Sequence, residues 1–543
     1  MPQHESMEFD VIIVGAGPSG LSAAIRLGQL AHQQNKTLDI CIVEKGAEVG
    51  AHILSGAVIE PSALNELIPD WQAKQAPLHT PVKQDHFLML TQKRAFHLPV
   101  PPIMSNHGNY IISLGELCRW LALQAESLGV QIFPGFAATR LLIENNRVNG
   151  IMTGDKGLDK QGQPTPSYQP AMALYAKQVL IAEGCRGSLT RTLCEYFDLR
   201  KHADPQTYAL GIKELWETPD ELIELGTVSH SIGWPLNHKT YGGSFIYQVE
   251  KNLLAIGLVI GLDYQNPYLN PYEEFQRFKT HPYIYPVLKQ SKRIAYGARS
   301  LNEGGLQSIP QLTFPGGLLM GCAAGFLNVP KIKGIHTAMK SGMIAAESLF
   351  PLLHHSKTLD ECVEYSHNIK QSTIWKELYK ARNIRPAMRW GLWPGLAYSA
   401  LDTFLLRGHA PWTLHHDADY KQLKKADEYT KLEYPKHDNQ VTFDLMNSVS
   451  LTHVHYKENQ PCHLKLQDPS LAISVNFKLY ASPETRYCPA GVYEIVHDEN
   501  NTPRLQINFT NCIQCKACDI KDRMQNIRWT PPEGSDGPNY SLM

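Results

Sequence analysis

The sequence has no apolar run of roughly 18 or more residues, the length that a membrane-spanning helix needs, so we predict no transmembrane segment. Neither sign of charge is in excess: 51 Lys and Arg oppose 52 Asp and Glu, which leaves no overall field to attract nucleic acid. Cysteine is scarce, with 11 in 543 residues, and an odd number cannot all pair in disulfides. We therefore predict a folded protein of a reducing compartment with no nucleic-acid partner.

A glycine-rich turn near the N-terminus indicates a dinucleotide-binding unit. The β-rich run Phe9–Val14 leads into this turn, and the Ala- and Leu-rich stretch Leu21–Leu30 follows it as a helix. Such a turn lets the backbone approach a pyrophosphate at the helix N-terminus, and Glu44, at the end of the next strand, suits a ribose hydroxyl pair. The candidate cofactor-binding residues of the turn are Gly15, Ala16, Gly17, Pro18, Ser19 and Gly20.

Two later segments favour FAD over NAD as the dinucleotide. The strand Gln178–Ala182 runs into Glu183-Gly184, which is similar to the Asp-Gly motif of glutathione-reductase-type flavoproteins. Gly321 and Cys322 follow another apolar strand, where those flavoproteins carry Gly-Asp to bind the ribityl chain. Since a cysteine is a weak hydrogen-bond partner, we expect backbone or another group to make the ribityl contact. The plainer interpretation of both segments is a buried strand with a tight turn.

Four cysteines near the C-terminus form a candidate metal site. The triplet has CxxCxxC spacing, and a Cys-Pro pair lies upstream of it, as in ferredoxin-type motifs in a different order. Structural zinc is the main alternative, although zinc usually prefers paired CxxC units. We predict a [4Fe-4S] cluster held by Cys488, Cys512, Cys515 and Cys518.

The apolar segment Trp390–Leu406 indicates contact with a membrane surface. Arg385, Arg389 and Arg407 flank it as basic anchors, as in helices that lie in the interface of a bilayer. A buried core helix is the alternative interpretation. The proline-rich loop Leu98–Met104 is a second candidate for apolar contact, or a rigid linker.

Together these motifs resemble the electron-transfer flavoprotein:ubiquinone oxidoreductase (electron-transfer-flavoprotein dehydrogenase) family. Four stretches distributed along the chain carry the resemblance: Gly50–Ala57, Gly233–Leu236 followed by Thr240–Phe245, Gly325–Gly334 and Cys512–Asp522. The resemblance implies an enzyme that accepts electrons from reduced electron-transfer flavoprotein, passes them through a [4Fe-4S] cluster and FAD, and reduces ubiquinone to ubiquinol. It also implies that Gly242 and Gly243 bind ubiquinone.

The resemblance further implies an α/β fold of three intertwined units. These are a glutathione-reductase-like FAD domain (1–75, 112–200 and 293–380), a quinone and membrane domain (76–111, 201–292 and 381–425) and a ferredoxin-like cluster domain (436–543). We expect a monotopic inner-membrane protein. Because Met1–Asp10 shows no targeting signal, the cytoplasmic face of a bacterial membrane is expected, or the matrix face for a processed organellar chain.

Two other functions are compatible with the motifs. The first is a flavoprotein like the geranylgeranyl reductases, which would reduce a carbon–carbon double bond of a lipid. The second is a redox-sensing or docking protein whose cofactors are structural. The cluster and the FAD are expected to use separate parts of the chain, so that Cys515→Ala would remove the cluster and leave FAD bound.

Overall fold

The computed structural model describes residues 5–55, 57–219, 222–353, 361–541 and 543. Gly56, in the stretch Gly50–Ala57 named above, lies outside the described residues. In chain order the strands are β1 Ser6–Val14, β2 Ile40–Glu44, β3 Val58–Ile59, β4 Thr80–Pro81, β5 Gln84–Leu90, β6 Ala95–Leu98, β7 Tyr110–Ile111, β8 Gln131–Pro134, β9 Ala138–Glu144, β10 Arg147–Thr153, β11 Lys156–Leu158, β12 Pro164–Gln169, β13 Ala173–Ile181, β14 Tyr208–Glu217, β15 Thr227–Gly233, β16 Gly242–Glu250, β17 Leu253–Gly261, β18 Lys292–Asn302, β19 Thr313–Phe314, β20 Gly317–Leu319, β21 Leu464–Leu466, β22 Tyr493–His497, β23 Pro503–Ile507 and β24 Ile527–Trp529.

The α-helices are mostly short, and two of the longest, α1 and α7, pack against each other. In chain order they are α1 Pro18–Gln33, α2 Ser62–Leu67, α3 Leu114–Glu126, α4 Ser188–Tyr196, α5 Pro271–Lys279, α6 Tyr285–Leu288, α7 Ile335–Leu353, α8 Val363–Gln371, α9 Thr373–Ala381, α10 Ile384–Ala387, α11 Leu392–Ala400, α12 Leu445–Val449, α13 Lys478–Tyr480, α14 Glu484–Tyr487 and α15 Ala517–Lys521. None of the helices in the described ranges combines the length and apolar character needed to cross a membrane.

The first large sheet carries the dinucleotide motif. Its strands lie in the order β19-β20-β13-β1-β2-β8, and β9 and β10 extend it from β13. β1 is parallel to both β13 and β2, and Val11–Val14 is buried, as expected for a parallel sheet covered on both faces. The turn after β1 therefore opens at the carboxyl edge of the sheet, where α/β folds of this kind bind their ligands.

The second large sheet is mainly antiparallel and has the order β18-β14-β17-β16-β15-β5-β6. Its strands come from three separate stretches of the chain, which agrees with the expected intertwining of units. β18 pairs with β14 along its whole length, so residues 293–302 belong to this sheet. The sequence analysis placed these residues in the flavin unit, and the division into domains stays a prediction.

The C-terminal unit has little regular structure and is held against both sheets. Its strands form the small antiparallel pairs β21–β24 and β22–β23. Backbone hydrogen bonds join it to the rest of the chain: the N–H of Ser300 donates to the carbonyl of Cys515, and the N–H of Tyr540 donates to that of Ala51. The α/β fold class with a separate C-terminal cluster unit is thus confirmed.

Candidate functional site

A large cavity of about 540 Å³ lies between the two sheets. Gly15 and Gly17 of the N-terminal turn line it, and so do Gly242 and Gly243 of β16. The structure therefore brings together two sets of predicted residues that lie more than two hundred positions apart in the sequence. A dinucleotide on the turn and a ring beside β16 would share one enclosed space.

The geometry of the N-terminal turn fits a pyrophosphate. A Cβ at Gly15 would lie 2.6 Å from the carbonyl oxygen of Ala182, and one at Gly20 would lie 2.1 Å from that of Gly15. These two glycines are required by packing. By contrast, a Cβ at Gly17 would meet nothing within 4 Å, because this position faces the open cavity. The turn thus forms a cradle at the start of α1 that a side chain would fill.

Glu44 lies on the cavity wall, as predicted, but its carboxylate also has structural partners. It accepts hydrogen bonds from the backbone N–H of Ala16 at 3.0 Å and of Gly46 at 2.8 Å. The first bond ties the end of β2 to the glycine turn. Each carboxylate oxygen has a further lone pair, so these bonds leave Glu44 able to accept from a ribose.

Gly321 and Cys322 lie beside the same turn. Gly321 has a φ of +59°, and a Cβ there would lie 2.6 Å from the Oγ of Ser19. Its N–H donates to the Oγ of Ser341 at 2.9 Å, and Cys322 lines the cavity. Glu183, the residue that replaces the usual Asp, instead caps α4 by accepting from the N–H groups of Leu189 and Thr190.

The predicted quinone-site glycines, Gly242 and Gly243, line the cavity. A Cβ at Gly242 would lie 2.3 Å from the carbonyl oxygen of Val259, and one at Gly243 would lie 2.6 Å from that of Ser231. Both glycines are thus required by close packing of the sheet. Val259 pairs with Gly243 on one side and with Gly211 on the other, so it carries the only side chain in this cross-strand row of three residues. The cavity wall is therefore flat here.

The cavity wall also carries five cations that sequence reasoning missed. They are Lys45, Lys213, Arg299, Lys333 and Lys516. Among the residues that the structure describes, none of the five has a carboxylate oxygen within 4.0 Å, the limit for an ion pair. They come from five distant segments, which the register of the strands and the docking of the C-terminal unit bring together. For example, the pairing of Arg299 with Gly211 places the guanidinium group on the same wall as Lys213.

Two of these cations hold a loop against the second sheet. The Nζ of Lys213 donates to the carbonyl of Ser55 at 3.0 Å, and the Nη1 of Arg299 donates to that of His52 at 3.3 Å. Burial lowers the pKa of Lys213 to about 8. Together the two residues place positive charge on the wall of the cavity, where an anionic ligand would be favoured.

The four predicted cluster cysteines converge in the C-terminal unit. Each is 7% or 8% exposed, and each belongs to the same buried core. In the described parts of the chain, the only three candidate metal-ligand atoms within 4.8 Å of one another belong to Glu60, His336 and Glu377. No three of the cysteine sulfurs therefore lie that close together.

The environment of these sulfurs fits a cluster. The backbone N–H of Gln514 donates to the Sγ of Cys512 at 3.4 Å, the kind of bond that stabilises ligating thiolates. Burial raises the pKa of Cys512 to about 12, and it also raises the pKa of Cys515 and of Cys518. A bound metal would favour the thiolate form of these sulfurs.

The apolar segment Trp390–Leu406 has an exposed outer face and an inner face on the cavity. α11 begins at Leu392, and a π-helical turn, Leu401–Leu406, continues it. Leu396 and Thr403 line the cavity, together with Ile103 of the proline-rich loop. The large apolar side chains that point outward are Trp390, Trp393, Leu401, Phe404, Leu405 and Trp412. The segment Trp390–Leu406 thus forms one side of an apolar opening of the cavity, which we call the apolar mouth.

One of the three predicted basic anchors is wrong. Arg385 is 3% exposed and forms ion pairs with Asp263 at 3.1 Å and Glu303 at 2.8 Å. It belongs to the interior. The prediction failed because a single sequence cannot show which charged residues beside an apolar segment turn inward. Arg389 pairs with Asp417, and Arg407 is exposed. Asp402, within the segment, also turns inward and is 1% exposed.

Three family models match parts of this chain. Residues 439–541 match the 4Fe-4S model of electron transfer flavoprotein-ubiquinone oxidoreductase, and residues 208–301 match the ubiquinone-binding model of the same family. Residues 13–73 match a Rossmann-like NAD(P)-binding model. These matches cover the cysteine site, most of the second sheet and the glycine turn.

Curated relatives match almost the whole chain. The mitochondrial electron transfer flavoprotein-ubiquinone oxidoreductase of Dictyostelium discoideum is 52% identical over 100% of this chain and 92% of its own length. The proteins of the same name from Mus musculus and Homo sapiens are 53% and 52% identical, over 99% of this chain and 89% of their own.

Solved structures at low identity show the fold alone. A geranylgeranyl bacteriochlorophyll reductase-like protein from Thermoplasma acidophilum is 19% identical with a TM-score of 0.53, covering 69% of this chain and 86% of that one. The flavin-dependent brominase Bmp2 is 16% identical with a TM-score of 0.50, covering 74% and 92%. The lipid-reductase alternative is not favoured, because the full-length relatives carry the other name and the cluster model matches.

Identity above 50% along the full chain decides the family. The glutathione-reductase-type fold and the cysteine site support FAD and [4Fe-4S] as the cofactors, and the residues present fit both groups. The chain therefore belongs to the electron transfer flavoprotein-ubiquinone oxidoreductase family and is an oxidoreductase.

Proposed function

We propose that this protein transfers electrons from reduced electron transfer flavoprotein to ubiquinone and releases ubiquinol. One observation carries the proposal: Gly17 of the dinucleotide turn and Gly243 of the second sheet line the same cavity. The cysteine unit reaches this cavity as well, through Lys516 on its wall. The three predicted sites are therefore adjacent, as electron transfer between them requires.

The cofactors supply the redox chemistry when bound: a cluster passes single electrons, FAD takes one or two, and a quinone needs two electrons and two protons. The protein's residues bind and orient these groups and keep bulk water away. Lys213 and Arg299 stabilise negative charge in the cavity. Glu303, whose pKa is raised by burial against the opposing charge of Arg385, is an ionisable group on the wall that can hold a proton.

We assign the predicted residues to three binding roles. The backbone of the turn Gly15–Gly20, with Glu44, Gly321 and Cys322, binds FAD. The second sheet binds ubiquinone at Gly242 and Gly243. The cluster ligands are Cys488, Cys512, Cys515 and Cys518.

We also propose that the apolar mouth lies on the inner membrane. Its outer face carries Trp393, Phe404 and Leu405, which are 64%, 62% and 73% exposed. Exposed apolar side chains grouped in this way mark an interaction surface, and aromatic residues suit the bilayer interface. A quinone could then enter the cavity directly from lipid. The face is the cytoplasmic one in a bacterium or the matrix one in a mitochondrion.

The test is steady-state reduction of a soluble short-tail ubiquinone by reduced electron transfer flavoprotein, with the purified protein holding both cofactors. We expect ubiquinol to form in proportion to the donor consumed. Absence of turnover with iron and flavin both present would contradict the proposal.

A cavity-filling variant separates the two half-reactions. Val259→Phe adds bulk between Gly243 and Gly211, so we expect slower reoxidation by ubiquinone and an unchanged rate of flavin reduction by the donor protein. Leu123→Phe, at an exposed position on α3, is the matched control and should change neither rate.

A further inference from the structure

Two spacer residues of the cysteine triplet join this loop to the rest of the chain, and one of them, Lys516, lines the flavin cavity. Gln514 and Lys516 alternate with the ligands Cys512, Cys515 and Cys518, and both adopt a left-handed backbone, with φ of +56° and +67°. The Oε1 of Gln514 accepts a hydrogen bond from Lys45, the residue after Glu44. The loop that holds the cluster is thus joined to the end of β2 in the dinucleotide-binding unit.

Lys516 reaches further into the flavin unit. Its Nζ donates to the carbonyl oxygens of Arg186 at 2.9 Å and Cys185 at 3.3 Å, in the turn that follows β13. Lys516 is 4% exposed and lines the cavity together with Gly15 and Glu44. It is therefore part of the cavity wall and of the cysteine loop at once.

The ammonium group of Lys516 lacks a counter-charge of its own. An ammonium has three N–H donors, and the two carbonyls account for two. The nearby acids have other partners: Glu183 caps α4, and Asp519 pairs with Arg186 and Arg191. Taking a cation out of water is costly unless an anion lies near it. FAD would bring a pyrophosphate to this cavity, and the preceding residue, Cys515, is a predicted cluster ligand.

We propose that Lys516 is an FAD-positioning residue supplied by the cluster segment, so that FAD binding and cluster assembly are coupled. The inference rests on the two cofactors of the proposed function. It adds to that function an FAD-positioning residue and a coupling between the two cofactor sites. Because such coupling is reciprocal, a change that disorders the cysteine loop weakens FAD binding, and FAD stabilises that loop. This contradicts the expectation that the two cofactors use separate parts of the chain.

The first experiment follows release of FAD from the purified holoprotein on dilution, by the fluorescence of free flavin. We expect Lys516→Met to bind FAD about ten- to a hundredfold more weakly, the usual effect of a lost hydrogen bond to a charged group. Its iron and acid-labile sulfide content should equal that of the wild type. Lys516→Arg, which keeps the charge, should retain most of the affinity.

Lys521→Met is the matched control. Lys521 is also fully buried, lies three residues after Cys518 and donates to two backbone carbonyls, those of Leu262 and Tyr264. It does not line the cavity. We therefore expect FAD affinity to be unchanged in this variant. Wild-type FAD affinity in Lys516→Met with an intact cluster would overturn the proposal, and so would an equal loss in Lys521→Met.

A double-variant comparison tests the coupling itself. Cys515→Ala should weaken FAD binding, and adding Lys516→Met should cause little further loss, because both changes act through one loop. Fully additive losses would overturn the coupling. Should Lys516→Met fail to fold, Cys515→Ala decides alone: unchanged FAD release in that variant contradicts the proposal. The readout is flavin binding, so failure to reduce ubiquinone would leave this result standing.

Discussion

Three of the four predicted cluster cysteines lie on one short loop, whereas the cavity wall is assembled from segments between Val14 and Pro531. Burial raises the pKa values of the thiols in the predicted cysteine site. The cavity is instead lined by cations without ion-pair partners among the described residues, such as Lys213 and Arg299. A loop of neighbouring residues is suited to binding a metal, because the positive charge of the metal balances the negative charge of its thiolate ligands. A wall built from segments that are distant in sequence is suited to binding anionic ligands and ligands that must enter and leave.

The largest effect should come from the local site. Cys515→Ala removes one of four ligands, so we expect loss of the cluster and with it the transfer of electrons from the donor protein to ubiquinone. Iron analysis and electron paramagnetic resonance of the reduced sample provide the measurement. Cys462→Ala, at a half-buried cysteine outside the set, is the control. A cluster that persists in Cys515→Ala would remove this residue from the ligand set.

The apolar mouth should show the next largest effect. Replacing Phe404 and Leu405 by Asp removes two exposed apolar side chains, and burying each in lipid is worth about 1.5–3 kcal/mol. We therefore expect binding to liposomes, measured by flotation, to fall at least about a hundredfold, with both cofactors retained. Leu123→Asp, an equally exposed leucine on α3, should bind normally. Unimpaired flotation of the double variant would remove the membrane role of this segment.

The cradle of the cavity offers a more moderate test. Gly17→Ala places a methyl group where the structure has open space, so the fold should persist while the dinucleotide is displaced. We expect FAD affinity to fall about tenfold, and the stability of the protein without flavin to stay unchanged. Flavin release and thermal unfolding measure the two quantities. A destabilised protein with normal flavin affinity would show that Gly17 has only a packing role.

The smallest effect concerns a loop of the cavity wall that ion pairs hold in place. Lys331 contacts both Glu60 and Glu377, and His336 lies 3.2 Å from Glu377. Burial alone would raise the pKa of Glu377, but the hydrogen bond and charge of His336 and the charge of Lys331 hold it at about 2. A lowered carboxyl pKa adds stability above the unfolded-state value and loses it as the pH falls towards the folded-state value.

We therefore expect the wild type to lose roughly 1–2 kcal/mol of this stabilisation between about pH 5 and pH 2. Glu377→Gln should show a shallower decline over the same range. Unfolding midpoints in urea measured against pH provide the comparison. Parallel curves for the two proteins would show that this carboxylate contributes nothing to acid sensitivity.

The same contrast explains what could be predicted from the sequence. The glycine turn and the CxxCxxC triplet are contiguous, so their spacing predicted a dinucleotide-binding unit and a metal site. The choice of FAD rested on two later segments, and the fold class rested on the family resemblance. Lys213, Arg299 and Lys516 carry no motif, because strand register and the docking of the C-terminal unit bring them together. Arg385 was wrongly predicted as a basic anchor for a related reason. Its ion-pair partners, Asp263 and Glu303, lie far away in sequence and hold it in the interior.

The most direct test of the account follows both centres in a single anaerobic titration with reduced electron transfer flavoprotein. We predict that the flavin absorbance bleaches, that a paramagnetic iron–sulfur signal appears, and that both changes reverse on addition of a soluble ubiquinone. A flavin that is reduced without any iron–sulfur signal, or centres that stay reduced when the quinone is added, would contradict the account.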